Sequence, residues 1–144
     1  MSIVCPDLKL SSRGLARLIE KVGKACHNLG YTPGLNPAQW AALRYSKETT
    51  ADRRTVTGFA NFQGTTKGTA SQTVTALVRK GHLEKVADKN DRRVHRLMLT
   101  QTGEELLIND PLQALADAID KLEEQDRRAL SVNMEKVLRD LLRA

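Results

Sequence analysis

Apolar residues recur three and four residues apart along most of the chain, and they alternate with polar residues over one short stretch. The first spacing is typical of amphipathic helices, and the second is typical of a half-buried strand. Leu97 and Leu99, for example, alternate with Arg96 and Met98. The pattern predicts strands over 83–87 and 94–99, helices over 8–30, 36–47, 56–63, 66–80 and 125–142, and a further helix after residue 100 that Pro111 kinks or divides.

Residues with special backbone preferences mark the ends of these elements. Asn36 followed by Pro37 is typical of a helix start, and Thr66 and either Thr100 or Thr102 are the other predicted N-caps. Glycines follow the predicted helix ends at positions 30, 64 and 81. The chain is therefore predicted to be mainly α-helical with one small β-hairpin, whose tip is the charged run DKNDRR.

The same spacing predicts which side chains fill the core. In the helix over 66–80 we expect an inward stripe of four residues, which are Ala70, Val74, Leu77 and Val78. In the segment before it, Phe59 and Phe62 are expected to pack into the same core. Cys26 lies on the apolar stripe of the first helix and is expected to be a packing residue.

Length and composition narrow the class of protein. The chain has 144 residues, of which 40% are hydrophobic and 28% are charged, and this composition excludes a disordered or collagenous protein. No apolar run is long enough to cross a membrane, and the N-terminus lacks the pattern of a signal peptide. Two cysteines are too few for a disulfide framework. We therefore expect a single cytoplasmic domain over 1–144 without a membrane partner.

Charge is distributed unevenly along the chain. Residues 1–35 carry a net charge of +3, residues 36–100 carry +7, and residues 101–144 carry −4. A basic middle beside an acidic end indicates a segregated partner surface, for which a polyanion is the simplest partner. The competing interpretation is that the cations are scattered over solvated helix faces.

The order of the elements suggests how a polyanion would bind. Three helices followed by a charged hairpin is the order of a winged helix-turn-helix, in which the third helix lies in the major groove of double-stranded DNA. Small polar side chains let such a helix approach the base edges, and its N-terminus favours a phosphate. The residues predicted to contact DNA from this helix are Thr66, Lys67, Gly68, Thr69, Ser71, Gln72 and Thr75. Arg92 and Arg93, at the hairpin tip, are predicted to reach the minor groove.

The terminal helices have a different character. The helices within 8–30 and 102–144 carry wider apolar stripes than a winged helix-turn-helix unit over 36–100 can cover. The sequence therefore predicts that both ends form a dimer interface, and a two-fold dimer would place two recognition helices about one DNA turn apart. A self-packed monomeric bundle is the alternative.

Three stretches of the chain resemble the MarR family of bacterial transcriptional regulators. LNPAQWAALRY at 35–45 is similar to the family's second helix, and residues 59–85 are similar to its two-helix DNA-reading unit. DKNDRRVHRLMLTQTGEEL at 88–106 resembles the wing and is the most specific of the three. The resemblance covers nearly the whole chain. It implies a homodimer with intertwined terminal helices that binds a pseudo-palindromic promoter operator, most often as a repressor, and leaves it on a small-molecule or oxidant signal.

The resemblance also assigns roles to residues of the wing. The family's recognition-helix positions fall on Gly68, Ser71, Gln72 and Thr75, and its wing positions fall on Asp88, Arg92 and Arg93. Asp88 and Asp91 are expected to pair with the two wing arginines and so stiffen the hairpin. Many members have Arg where this chain has Asn90. The resemblance therefore implies that Arg92 or Lys89 makes the minor-groove contact instead.

Two kinds of effector site follow from the same resemblance. Family members commonly hold ligands between the dimer helices and the DNA-reading unit, where His27, Tyr31, Trp40 and Arg44 are candidates to bind a small aromatic or anionic compound. For Trp40, ordinary core packing is the competing interpretation. Cys5 is a candidate redox sensor because redox-responsive relatives use an N-terminal cysteine, although the only nearby cation in the sequence is Lys9.

Catalysis has little support in the sequence. The three histidines are scattered, no set of residues has metal-ligand spacing, and GTTKGT lacks the order of a phosphate-binding loop. We therefore expect no enzyme, no cofactor and no metal. A winged helix used only as a protein-interaction module remains the alternative function. Such a module would carry apolar anchors on the recognition helix, where this chain has small polar residues.

Overall fold

The computed structural model describes residues 11–143, which divide after Pro111 into two compact units. The first unit contains α1 (Ser12–Leu29), α2 (Pro37–Glu48), a 3-10 helix (Ala51–Arg53), α3 (Val56–Gln63), α4 (Lys67–Arg79), β1 (Leu83–Ala87), β2 (His95–Leu99) and α5 (Gln101–Ile108). The second unit contains α6 (Gln113–Asp120) and α7 (Glu124–Arg143). The prediction of a mainly helical chain with one hairpin is confirmed, and so is the division at Pro111.

The predicted helix starts are present as hydrogen-bonded caps. At α2, Asn36 Oδ1 accepts from the N–H of Gln39 at 2.9 Å, and Gln39 Oε1 accepts from the N–H of Asn36 at 3.1 Å. This reciprocal pair satisfies two N–H groups that the helix itself leaves without acceptors. Thr66 caps α4 by accepting from the N–H of Thr69 at 3.1 Å. Thr100, rather than Thr102, caps α5.

The hairpin is antiparallel, and its register decides which side chains share a face. Leu83 pairs with Leu99 and Lys85 pairs with Leu97, so that Leu83 and Leu97 enter the core together. The chain before α3 adds to the hairpin, because the N–H of Leu97 donates to the carbonyl of Arg54 at 2.8 Å. The hairpin is therefore attached to the helices through its second strand.

One core holds the helices and the hairpin of the first unit together. Its apolar members are Leu35, Trp40, Ala42, Leu43, Tyr45, Phe59, Ala60, Ala70, Val74, Leu77, Leu83 and Leu97. Trp40 is only 3% exposed, so core packing is what the structure shows for this residue. Tyr45 also fixes the 3-10 helix, because its hydroxyl donates to the carbonyl of Arg53 at 2.6 Å, and burial raises the pKa of this phenol.

Two predicted core residues lie outside the core. Phe62 is 70% exposed, because it is in the last turn of α3, where its ring reaches only the rim of the core beside Tyr45, with the ring centroids 5.2 Å apart. Val78 is 37% exposed, because it lies about 100° around α4 from the buried Leu77. Both predictions were wrong for the same reason, since helical spacing does not fix where an inward stripe ends.

Apolar side chains remain exposed on the terminal helices. None of the described residues of α6 and α7 is buried, and in α1 only Gly14 is. On α1 the exposed side chains Leu15, Ile19, Val22 and Leu29 form one stripe. On α7 the exposed stripe contains Leu130, Met134, Val137, Leu138 and Leu141. Among residues 11–143, no helix combines the length and the apolar composition that crossing a bilayer requires.

Candidate nucleic-acid interface

The helix α4 has one buried side and one polar, solvent-exposed side. Ala70, Val74 and Leu77 are at most 1% exposed. On the opposite side Gly68, Gln72, Thr75 and Arg79 follow at intervals of four, three and four residues, and all four are exposed. Because this spacing places residues on one helix face, they form a continuous stripe, which we call the α4 stripe. Ser71 is half-buried at its margin.

Arg79 was not among the residues predicted to contact DNA. It is exposed and belongs to the α4 stripe, one helical turn after Thr75. The signal was present in the sequence, because a residue four positions after a surface residue of a helix shares its face. The stripe therefore ends in a cation at its carboxyl end.

The N-terminus of α4 leaves backbone donors available. The Thr66 hydroxyl is used within the cap, because it accepts from the N–H of Thr69 and donates to the Thr69 hydroxyl at 3.0 Å. The N–H groups of Lys67 and Gly68 have no acceptor in the described part of the chain. An added Cβ at Gly68 would meet nothing closer than Thr66 Oγ1, at 4.0 Å, so the fold does not require glycine here. This end of α4 is open to a partner.

The turn between α3 and α4 sets the angle between the two helices. Gly64 has φ of +70°, in the left-handed region that favours glycine, and it ends α3. The N–H of Thr65 then donates back to the carbonyl of Ala60 at 3.1 Å. The exposed N-terminus of α4 therefore has a fixed direction relative to α3.

The tip of the hairpin carries the predicted wing cations. Lys89, Arg92 and Arg93 are all exposed, and the side chain of Arg93 is 92% exposed. Asp91 Oδ1 accepts from both the N–H and the Nε of Arg93, at 3.1 and 3.2 Å, so this predicted pairing is confirmed. Arg92 forms no ion pair or side-chain hydrogen bond within residues 11–143.

The prediction that Asp88 pairs with Arg92 or Arg93 was wrong. Asp88 lies instead against Arg96, with Oδ2 and Nη2 3.8 Å apart. The reason is strand register: Val86 pairs with Arg96, and Asp88, two residues further along, projects from the same face. Arg96 also donates to the carbonyl of Asp52 at 2.6 Å. This arginine therefore ties the wing to the 3-10 helix, and Asp88 forms no ion pair with either of the two tip arginines.

The base of the hairpin is anchored where α4 ends. The carbonyl of Gly81 accepts from the hydroxyls of Thr100 and Thr102, at 2.6 and 2.8 Å. At Gly103 an added Cβ would lie 2.3 Å from the carbonyl oxygen of His82, so only glycine fits at this close approach. The segment over 97–103 thus joins the wing to the carboxyl end of α4, and it holds both parts of the candidate interface in one arrangement.

The four predicted effector residues are divided among three separate contacts. His27 and Tyr31 contact each other edge-to-face at the end of α1, with ring centroids 5.3 Å apart. Trp40 is buried and donates from Nε1 to the Thr32 hydroxyl at 3.2 Å. Arg44 Nε donates to Asp110 Oδ2 at 2.6 Å, and both side chains are about one-fifth exposed. Within the described residues, no hydrogen bond, ion pair or ring contact joins the His27–Tyr31 pair to Arg44.

One shallow cleft lies near Trp40. Its volume is about 260 Å³, and its lining residues are Trp40, His82, Thr102, Glu105, Leu106 and Asn109. Cys5, the redox candidate, lies outside the described residues, and Cys26 is a half-buried free thiol. In residues 11–143, no three His, Cys, Asp or Glu side chains are grouped so that they could hold a metal ion.

Comparison with known proteins shows what this chain is similar to. The model of the MarR family matches residues 34–94. The structure resembles that of the Staphylococcus aureus MepR–DNA complex at 20% identity, covering 92% of this chain and 98% of that chain with a TM-score of 0.72. No curated protein sequence matches the chain.

Two further solved structures show the same fold. A MarR/EmrR family transcriptional regulator from an Acinetobacter species is 17% identical, with 92% of this chain and 97% of that chain covered and a TM-score of 0.74. CouR from Rhodococcus jostii, bound to p-coumaroyl-CoA, is 18% identical, with 92% and 95% covered and a TM-score of 0.73. The predicted winged helix-turn-helix and the resemblance to the MarR family are therefore confirmed.

Proposed function

Because residues 34–94 match the model of the MarR family and the fold is a winged helix-turn-helix, we propose that the protein is a homodimeric, sequence-specific DNA-binding regulator. In this proposal it occupies a pseudo-palindromic operator in a promoter and acts as a repressor. It works in the cytoplasm without a cofactor, and it is not an enzyme. DNA complexes of related structures, such as that of MepR, support the proposal.

The observation that carries the proposal is the chemistry of the α4 stripe. Gly68, Gln72 and Thr75 are exposed, and none has an apolar side chain large enough to anchor a protein partner. In a major groove, Gln72 has the two-pronged amide that pairs with the edge of adenine, and Thr75 offers a hydroxyl and a methyl group. With Ser71 at its margin, the stripe suits direct reading of bases.

Phosphate contacts in the proposed complex come from both ends of α4 and from the wing. The free N–H groups of Lys67 and Gly68 and the positive end of the helix dipole suit one phosphate. Thr66, Thr69 and the ammonium of Lys67 border the same point, and Arg79 extends the contact at the other end. These contacts fix the position of the helix but do not distinguish sequences.

The wing adds a second contact in the proposed complex. Arg92 and Arg93 lie at the tip of the hairpin, and the base of the hairpin is fixed to α4. When α4 enters the major groove, the position of the two arginines relative to the DNA is therefore fixed as well. Narrow minor grooves have the most negative potential and attract arginine. Lys89 is exposed beside them and provides a further phosphate contact.

A dimer is part of the proposal because a single chain leaves large apolar surfaces in water. The stripes of α1 and α7 contain about nine exposed apolar side chains, whereas soluble monomers rarely expose large contiguous apolar patches. A two-fold dimer would present two copies of α4 to half-sites about 10 base pairs apart. The operator is therefore expected to be an inverted repeat.

Release by a small molecule completes the proposed function. CouR, which has the same fold, holds p-coumaroyl-CoA, and this supports a ligand-controlled regulator. In this chain, His27 and Tyr31 offer an exposed aromatic pair. Trp40 is buried, and Arg44 is ion-paired with Asp110. We therefore place first contact with an aromatic or anionic effector at His27 and Tyr31. An oxidant acting on Cys5 is the second proposed signal.

The test of the function is selection of DNA from a random-sequence duplex library by the purified protein. We expect enrichment of one inverted repeat with half-sites about one helical turn apart. An enriched single half-site would contradict the dimer, and an unenriched library would contradict specific recognition. The alternative, a winged helix that binds only proteins, predicts no retention of the library even at low salt.

A further inference from the structure

The carboxyl end of α4 is attached to the start of α2 by one side chain, that of Lys80. Its ammonium donates to the carbonyl oxygen of Gly34 and also lies 3.4 Å from Gln39 Oε1. Lys80 is the C-cap residue of α4 and follows Arg79 directly. It lies about 100° around the helix from Arg79, and therefore away from the centre of the α4 stripe.

The acceptors of Lys80 are themselves held in place. Gly34 is the third residue of a tight turn that is closed by the hydrogen bond from Leu35 N–H to the Thr32 carbonyl, at 3.1 Å. Its φ of +84° at this position, after Pro33, is typical of a type II turn. The buried Trp40 donates to the Thr32 hydroxyl at 3.2 Å. The turn is therefore a fixed point to which Lys80 ties the helix.

Gln39 links the same contact to the cap of α2. Its Oε1 accepts from the N–H of Asn36 at 3.1 Å, and the residue is only 7% exposed. One side-chain oxygen thus faces both the first turn of α2 and the ammonium at the last turn of α4. A movement of the segment between α1 and α2 would be passed to α4 through this oxygen and the Gly34 carbonyl.

We propose that Lys80 is a positioning residue for DNA recognition, which sets the angle of α4 by tying its carboxyl end to the Pro33–Gly34 turn. The inference rests on the proposed function, because its readout is sequence preference. Lys80 does not contact DNA in this proposal. Base readout requires α4 to hold several side chains within hydrogen-bond distance of base edges at once, whereas phosphate contacts tolerate a small tilt. Loss of the tie therefore weakens specific binding and leaves nonspecific binding in place.

The experiment compares Lys80→Ala with Arg79→Ala, since both variants remove one cation from adjacent positions. The probes are the duplex that the wild-type protein enriches from a random library and a scrambled duplex of the same composition, each titrated over a series of KCl concentrations. For Lys80→Ala we expect about tenfold weaker binding to the enriched duplex, corresponding to one lost charge-assisted contact. Binding to the scramble and the salt dependence should equal those of the wild type, and Lys80→Arg should restore most of the affinity.

For Arg79→Ala we expect weaker binding to both duplexes and a salt slope that is shallower by about one. If Lys80→Ala behaves in this way, Lys80 contacts a phosphate and the proposal is overturned. If Lys80→Ala equals the wild type on both duplexes, the tie has no effect and the proposal is likewise overturned.

A measurement without DNA separates this inference from the proposed function. Amide hydrogen exchange should become faster at Leu35 and His82 in Lys80→Ala, because these amides bond within the two segments that Lys80 joins. The same amides should be unchanged in Arg79→Ala. If the wild-type protein enriches no duplex, the proposed function fails, and exchange alone then decides whether Lys80 ties the two segments. Unchanged exchange in a folded Lys80→Ala variant contradicts the tie.

Discussion

The exposed faces of α4 and α7 are both open to solvent, yet their chemistry is opposite. On α4 the exposed face carries Gly68, Gln72, Thr75 and Arg79, and the other face is buried in the core. On α7 no described residue is buried, and Leu138, Leu141 and Leu142 are between 55% and 76% exposed. The first helix is already packed on one side, whereas the second has no packed side within its own compact unit.

This difference shows that the composition of an exposed face, more than the exposure itself, indicates the partner. A polar face with cations at its margins is stable in water and suits a polyanion. An apolar face is unstable in water and suits another apolar surface. Changes on α7 should therefore alter assembly, and changes on α4 and the wing should alter DNA binding while assembly stays intact.

The largest effect is expected from a charge placed in the apolar stripe of α7. Leu138→Glu should convert the protein from dimer to monomer, because an unpaired carboxylate in an apolar interface is strongly unfavourable. Operator binding should then fall by at least about a hundredfold, since half of the contacts are lost. Sedimentation equilibrium measures the assembly, and circular dichroism verifies that the helices persist.

The matched control for this variant is Lys136→Gln. It changes the net charge by the same amount at an exposed position outside the apolar stripe. It should leave the sedimentation profile unchanged. If the Leu138→Glu protein is still a dimer, α7 does not form the dimer interface. The proposed difference in partner between the exposed faces of α4 and α7 would then be contradicted.

The next largest effect is expected at the wing. Replacing Arg92 and Arg93 together by Ala should weaken binding to every duplex by roughly tenfold to a hundredfold at moderate salt, because two phosphate or groove contacts are lost. The slope of log affinity against log salt should become shallower by about two. A double Lys121→Ala, Lys136→Ala variant removes the same charge from the second unit and should retain the wild-type slope. An unchanged salt slope in the wing variant would show that the hairpin does not contact DNA.

A change at Gln72 should alter preference more than affinity. Gln72→Ala should cost about 1–3 kcal/mol at one base-pair position of the enriched sequence and little elsewhere, because one pair of base-edge hydrogen bonds is lost. Repeating the library selection with the variant measures this directly. Thr73→Ala is the control, since Thr73 bonds to the carbonyl of Thr69 within α4. Equal losses on all sequences would mean that Gln72 contacts only the backbone.

The smallest effect is expected at the cap of α4. Thr66→Ala should lower the free energy of unfolding by about 1 kcal/mol, because the N–H of Thr69 loses its acceptor. Urea unfolding without DNA measures this change. Thr65→Ala is the matched control, as the Thr65 hydroxyl donates only to the carbonyl of Thr66, at 3.3 Å. Equal destabilisation by both variants would show that the capping hydrogen bond adds no stability of its own.

The features that were predicted from the sequence depend on neighbouring residues. The caps at Asn36 and Thr66, the strand over 83–87 and the break at Pro111 follow from local backbone preferences, and the structure contains all of them. The predicted DNA-contacting positions of α4 are exposed or, for Ser71, half-buried, because helical spacing alone separates its two faces.

The features that the sequence did not predict depend on how the elements pair and pack with one another. Asp88 pairs with Arg96 because of strand register, and Lys80 reaches Gly34, 46 residues away, because of how α4 packs on α2. Phe62 is exposed because it lies in the last turn of α3, at the rim of the core, which the spacing within its own segment does not reveal. Such contacts follow from packing geometry, which periodicity does not encode.

The most direct test of the account is fluorescence anisotropy of the wild-type protein with the enriched duplex and with its scramble, across a salt series. Sequence-specific recognition by α4 predicts that the enriched duplex binds at least about a thousandfold more tightly at physiological salt. Equal and steeply salt-dependent binding to both duplexes would contradict base readout by α4. Absence of binding at low salt would contradict a nucleic-acid partner altogether.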